Sequence, residues 1–121
     1  MLSSLEQVKT ALLTVTSTDV YHYEAYQKPD RYIVWAEDSE YSEHLADDYK
    51  IGQTIEGTID LFTKSEDDSW ISDIPNALNR EHVWFFLNSV QYEDETRFIH
   101  YEWLFRVKQE WSDGNVEVSG S

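Results

Sequence analysis

Cysteine is absent from the 121 residues. That rules out a disulfide framework, thiolate nucleophiles and thiolate metal ligands, and it leaves nothing that points to secretion. Glycine is scarce, with residues at 52, 57, 114 and 120 only, so no glycine-rich phosphate loop can be drawn. Positive charge is also scarce, at 9 Lys and Arg against 24 Asp and Glu. A formal charge of -15 excludes wrapping nucleic acid, which needs clustered cations to displace counterions, and docking on anionic lipid. No apolar run approaches the roughly 18 residues of a membrane span. Residues 1 to 20 lack a basic segment followed by an apolar one, and the chain reads as soluble and intracellular.

What is present is hydrophobic mass: 40% hydrophobic residues, including five Trp and eight Tyr. That load does not fit disorder, and the length suits one domain with a single core. The acidic surplus leaves three uses: a basic partner, solubility through self-repulsion, or repulsion of another polyanion.

Ser3 and Glu6 have capping-box spacing, and Leu5, Val8, Ala11 and Leu12 recur at helical intervals, which predicts a helix over 4 to 14. The β-branched run from Thr14 to Thr18 should end it. VYHYEAY (20 to 26) and RYIVWA (31 to 36), separated by a KPD turn signal, read as two strands of a hairpin. The next stretch, 36 to 50, carries Glu37, Asp38, Glu40, Glu43, Asp47 and Asp48 and reads as an acidic loop. TIEGTIDLFT (54 to 63) alternates, with Ile55, Gly57, Ile59 and Leu61 on one face. In 65 to 79, Trp70, Ile71, Ile74 and Leu78 mark a helix face, and Pro75 should either kink that helix or split it. VWFFLNSVQYE (83 to 93) and RFIHYEWLFRV (97 to 107) form a hairpin across DET, with Ile99, Tyr101, Trp103, Phe105 and Val107 sharing a face. Residues 108 to 121 turn polar and read as a loose tail beyond a single domain of 1 to 107. The expected fold is α+β, with an antiparallel-rich sheet of about five strands and two helices on one face.

Catalytic signals are weak. No nucleophile elbow and no H-E-x-x-H are present. EHLADD (43 to 48) places His44 and Asp48 one helical turn apart beside Glu43 and Asp47, but it matches no established metal motif, so no metal or cofactor is assigned. His100 and Glu102 on one strand face could form an acid–base pair; the more ordinary reading is a partly exposed histidine with a favourable neighbour. No catalytic residue is assigned, and the chain is not read as an enzyme.

IEGTIDLFTK (55 to 64), LNSVQYEDET with IHYEW (87 to 103), the acidic connection containing ADD and the LN at 78 to 79 carry a resemblance. Over about residues 1 to 107 the chain resembles small proteins of long-tailed phages and prophages of Gram-positive bacteria. In length and element order it is similar to the tail-terminator and tail-completion (head–tail joining) proteins of the siphovirus neck. The resemblance implies a helix-flanked α+β sheet, no enzymatic activity, and a ring, usually sixfold, that caps the tail tube and meets the head connector or stopper. The protein would then reside in the virion, assembled in the host cytoplasm, with DNA passing through without specific binding.

On that expectation the acids acquire a purpose. Basic channel walls would hold phosphates, whereas acidic walls repel them. Glu37, Asp38, Glu40, Glu43, Asp47 and Asp48 are therefore expected at the lumen, and Trp84 and Phe86, on the hairpin face away from the helices, at the subunit interface. The competing reading is an acidic inhibitor that mimics DNA and binds a basic host protein.

Overall fold

The computed structural model describes the backbone of residues 4–46 and 49–110 and the side chains of 4–40 and 53–108. Two helices and five strands follow in the order α1 (Leu5–Val15), β1 (Val20–His22), β2 (Arg31–Ala46), β3 (Tyr49–Thr63), α2 (Trp70–Arg80), β4 (Trp84–Tyr92) and β5 (Ile99–Glu110). The strands form one sheet in the order β1-β2-β3-β5-β4, parallel only between β1 and β2. The fold is α+β, as the sequence predicts. No described helix is long and apolar enough to cross a membrane.

The cap of α1 differs by one residue from the expected one. Ser4, extended at φ -99° and ψ 171°, is the N-cap, and its backbone N–H donates to Gln7 Oε1 at 2.9 Å. Ser3 lies outside the described residues. The helix ends where the β-branched run predicts, at an extended Thr16. Pro75 neither splits nor ends α2, which runs as one helix of 11 residues. The helix closes with paired reverse bonds: His82 N–H reaches Asn79 O at 3.0 Å and Val83 N–H reaches Leu78 O at 2.9 Å. His82 takes the left-handed conformation (φ 60°) that this ending requires and that glycine usually supplies.

Both helices pack on one face of the sheet. Val8, Ala11 and Leu12 of α1 and Trp70, Ile74, Ala77 and Leu78 of α2 join Ile33, Trp35, Ile59, Leu61, Trp103, Phe105 and Val107 in one buried cluster. The registers Trp35↔Ile59↔Trp103 and Ile33↔Leu61 show why alternate residues of three strands arrive on the same side. Asp68 ties the layers together. Its carboxylate accepts from Arg31 Nη1 (2.9 Å), Thr63 Oγ1 (2.6 Å) and Trp70 N–H (2.8 Å), so one buried side chain links β2, β3 and the start of α2.

Two expectations are corrected. The segments at 20 to 26 and 31 to 36 do not form a hairpin: β1 is only Val20–His22 and pairs in parallel with Ile33–Trp35. Residues 23 to 30 cross over instead, and several of them line a recess on the helix-free face with Tyr32, Val34 and Phe62. Nor is the acidic stretch a loop. β2 continues to Ala46 and pairs with β3 out to Ala46↔Tyr49, giving a long arm of two strands, with β5 alongside as far as Gly52↔Glu110. Register shifts fall at Glu37/Ser39, Glu40/Ser42 and His44/Leu45. Each inserts a residue into one strand, interrupting the apolar–polar alternation by which a strand is recognised. β5 also extends to Glu110, past the expected boundary at 107; the tail from residue 111 lies outside the described residues.

Candidate functional site

Three surface features carry chemistry. The first is the outermost strand, β4. WFFLNSVQY contains no charged residue in a chain where charged residues make up 27%, and among the described residues no strand pairs with its outer edge. Natural edge strands are usually protected by charge, proline or bulges, because their free backbone groups invite pairing. Here the only such device is a bulge at Asn88, between the pairs Leu87↔Trp103 and Ser89↔Glu102.

Apolar side chains lie on both faces of the strand, and the bulge brings Val90 and Tyr92 to the same face as Leu87. Trp84 (41% exposed) and Phe86 (38%) lie opposite Arg106 and Leu104 on the helix-free face, as the sequence predicts. Their rings meet edge to face at 5.4 Å, and the Arg106 guanidinium, paired with Glu56 at 3.0 Å, sits 4.5 Å from the Trp84 ring centre. Leu87 (50%), Val90 (49%) and Tyr92 (59%) project on the helix side, opposite Trp103, Tyr101 and Ile99, yet remain exposed. Sequence reading missed these three. Strict alternation assigns Leu87 and Val90 to opposite faces, and only the bulge reunites them. The lack of charge in the strand was the available signal.

The second feature is the root of the arm. Here Glu37, one of the acids expected at a lumen, is held in place: its carboxylate accepts from Tyr23 Oη at 2.6 Å and lies 2.8 Å from His22 Nε2. The His22 ring is stacked between Tyr23 (3.9 Å) and Trp35 (4.0 Å), and Tyr23 adopts φ 78°, rare for an aromatic residue. Partial burial pushes the Glu37 carboxyl up, but the bonds from Tyr23 and His22 outweigh it and hold it below its usual range. Further out, Asp38 and Glu40 are exposed. Glu43 is on β2 opposite Gln53, with its side chain outside the described residues, and Asp47 and Asp48 lie outside them altogether.

The third feature is the recess beneath the 23 to 30 crossover, about 500 Å³ in volume. His100 lies on its floor, stacked on Phe62 at 4.3 Å, with Nε2 2.7 Å from Asp60 Oδ1. The bond from Asp60 raises the His100 pKa against the opposing effect of burial, and the neighbouring carboxylates add to the rise. The partner considered from sequence, Glu102, instead accepts from Asn88 Nδ2 at 2.9 Å. A histidine paired with a carboxylate and stacked on a phenylalanine ring is a strut between strands; the hydroxyls lining this recess are those of Tyr23 and Tyr32, and no serine or threonine joins them. Among the described residues, no group of three or more His, Asp or Glu is arranged to hold a metal ion; the side chains of His44 and its neighbours lie outside that set.

Compared with known proteins, the chain matches no family model and no curated protein.

Proposed function

We propose that this chain is a structural subunit of a ring at the head–tail junction of a long-tailed phage or prophage. It would cap the tail tube as a tail-terminator or tail-completion protein and meet the head connector or stopper. The observation that carries this reading is β4, an uncharged edge strand with apolar side chains exposed on both faces. Such a strand is costly to leave in water and is suited to burial against another subunit. The resemblance of 55 to 64 and 87 to 103 to neck proteins supplies the assembly in which that burial would occur.

The acidic arm fits the same role. Asp38 and Glu40 are exposed along a strand pair that extends past the helix-covered core, with Glu43, Asp47 and Asp48 further along the sequence. In a ring, an arm of this charge lining the channel would repel the DNA phosphates and let the polyanion slide. The same charge opposes assembly, so salt or a tail-tube template should promote it.

The experiment is electron microscopy of particles made by a phage genome lacking this gene. Overlong, ragged tails without heads are expected of a terminator, and normal-length tails beside separate or leaking heads of a joining protein. Intact, infectious virions would refute the neck role and favour an acidic inhibitor of a basic host protein.

A further inference from the structure

The uncharged strand leaves open what covers it. The shelf formed by Leu87, Val90 and Tyr92 is on the helix side of one sheet edge. At the opposite edge, also on the helix side, a hollow of about 360 Å³ opens between α1 and β1. Its walls are Leu5, Leu13, Val20 and Trp35, and Leu13 is 44% exposed. Its charged groups include one lysine, Lys9, and one carboxylate, Glu6. In a chain with 24 acids against 9 bases, contact between shelf and hollow brings together an uncharged surface and one whose ionisable groups are Glu6, Lys9 and His22, the last already paired with Glu37. A contact between two acidic surfaces would instead be opposed by repulsion.

From this we infer that the occupant of the shelf is a second copy of the same chain, which receives it in the hollow beside α1. The contact is head to tail: each copy offers its β4 shelf to one neighbour and its α1 hollow to the other. Because the two surfaces sit on opposite edges of one sheet, each contact leaves every copy with one surface of the other kind still free, so the contact can repeat. Repetition of this kind closes into a ring when the rotation allows. The alternative, β4 pairing with β4 about a twofold axis, would close after two copies and leave the hollow uncovered. The inference deepens the ring reading and relies on it for the repetition of the contact, while the contact itself can be tested without any phage.

The absence of cysteine makes that test clean. Leu13→Cys and Val90→Cys each alter an exposed side chain, so neither should disturb the fold, which circular dichroism would verify. The variants would be treated at high protein concentration with a short bismaleimide and read on a denaturing gel. An equal mixture of the single variants should give cross-linked dimers, each variant alone should stay monomeric, and the L13C/V90C double variant should give a ladder beyond the dimer. Val90→Cys mixed with Ser72→Cys, on the exposed side of α2, should give none. Dimers from Val90→Cys alone would overturn the inference in favour of the twofold pairing, and a mixture that gives no cross-link would overturn the contact without favouring either. Either result would leave the deletion phenotype to judge the ring itself.

Discussion

Gly57 is the position where one added methyl group should do the most damage. It sits in the middle of β3, paired with Glu37 just before the first bulge of β2 and with Phe105 of β5. A Cβ there would lie 2.2 Å from the Ala36 carbonyl oxygen and 2.5 and 2.7 Å from Cζ and Cε2 of Phe105. Restoring ordinary contact distances requires shifts of roughly 1 Å at both neighbours. The Phe105 ring is fully buried, and the carbonyl belongs to the backbone of β2, so neither can retreat cheaply. Overpacking of this kind costs about 1–3 kcal/mol when side chains can adjust, and backbone involvement places Gly57→Ala near the top of that range. The lower conformational freedom of alanine in the unfolded chain returns about 0.5–1 kcal/mol, so a net loss of about 2 kcal/mol is expected. Urea unfolding followed by tryptophan fluorescence would report it as a fall in midpoint of about 1 M. Trp35, Trp70 and Trp103 are buried and suit the measurement. Adding Phe105→Leu removes the ring obstacle but not the carbonyl, so the double variant should lose less than the sum of the single losses by about 1 kcal/mol. A Gly57→Ala protein with the parental midpoint would refute the packing argument.

The remaining predictions concern the two best-held carboxylates. Because the folded-state pKa of His100 is raised, its bond with Asp60 stabilises the fold fully at pH values below the unfolded histidine pKa. That contribution fades as pH rises through the folded pKa. Asp60→Asn should therefore cost about 1 kcal/mol more at pH 5.5 than at pH 9, and equal costs at the two pH values would remove the charge from the account. NMR titration of His100 in the same variant should show its pKa fall. Asp68→Ala strands the Arg31 guanidinium, the Thr63 hydroxyl and the Trp70 amide together, and a loss of about 2–3 kcal/mol in thermal or urea unfolding is expected. Asp68→Asn, which keeps acceptor capacity, should recover part of it.

Where the sequence was legible, the reason was uninterrupted periodicity. β5 carries no register shift, and Trp103, Phe105 and Val107 reach the core as alternation predicts. α2 survived Pro75 because Trp70, Ile74 and Leu78 still bring one apolar stripe to the sheet, where packing outweighs a missing backbone bond. The arm was illegible because two of its three register shifts break the two-residue period in AEDSEYSEHLA and the third breaks that of the facing strand, leaving only its charge visible. Parallel pairing of β1 was hidden as well. KPD is a good turn signal, but it does not say whether the chain returns beside the strand it left or crosses the sheet first. At β4 the placement of Trp84, Phe86 and Leu87 follows from simple alternation, while that of Val90 and Tyr92 does not, because the bulge at Asn88 precedes them.

The sheet order bears on how the protein is made. The last of the described strands to be synthesised, β5, lies between β3 and β4, and it is the only described partner of β4. Until residue 110 has left the ribosome, β3 has one open side and β4 has two. No amount of waiting lets the emerging chain finish its sheet. It must pass through a stage in which its most apolar strand is present without its neighbour, which is when nascent chains are most prone to stick to each other. The high negative charge of the preceding residues would keep such chains apart during that interval, so the same carboxylates that resist assembly of the finished protein would protect the unfinished one.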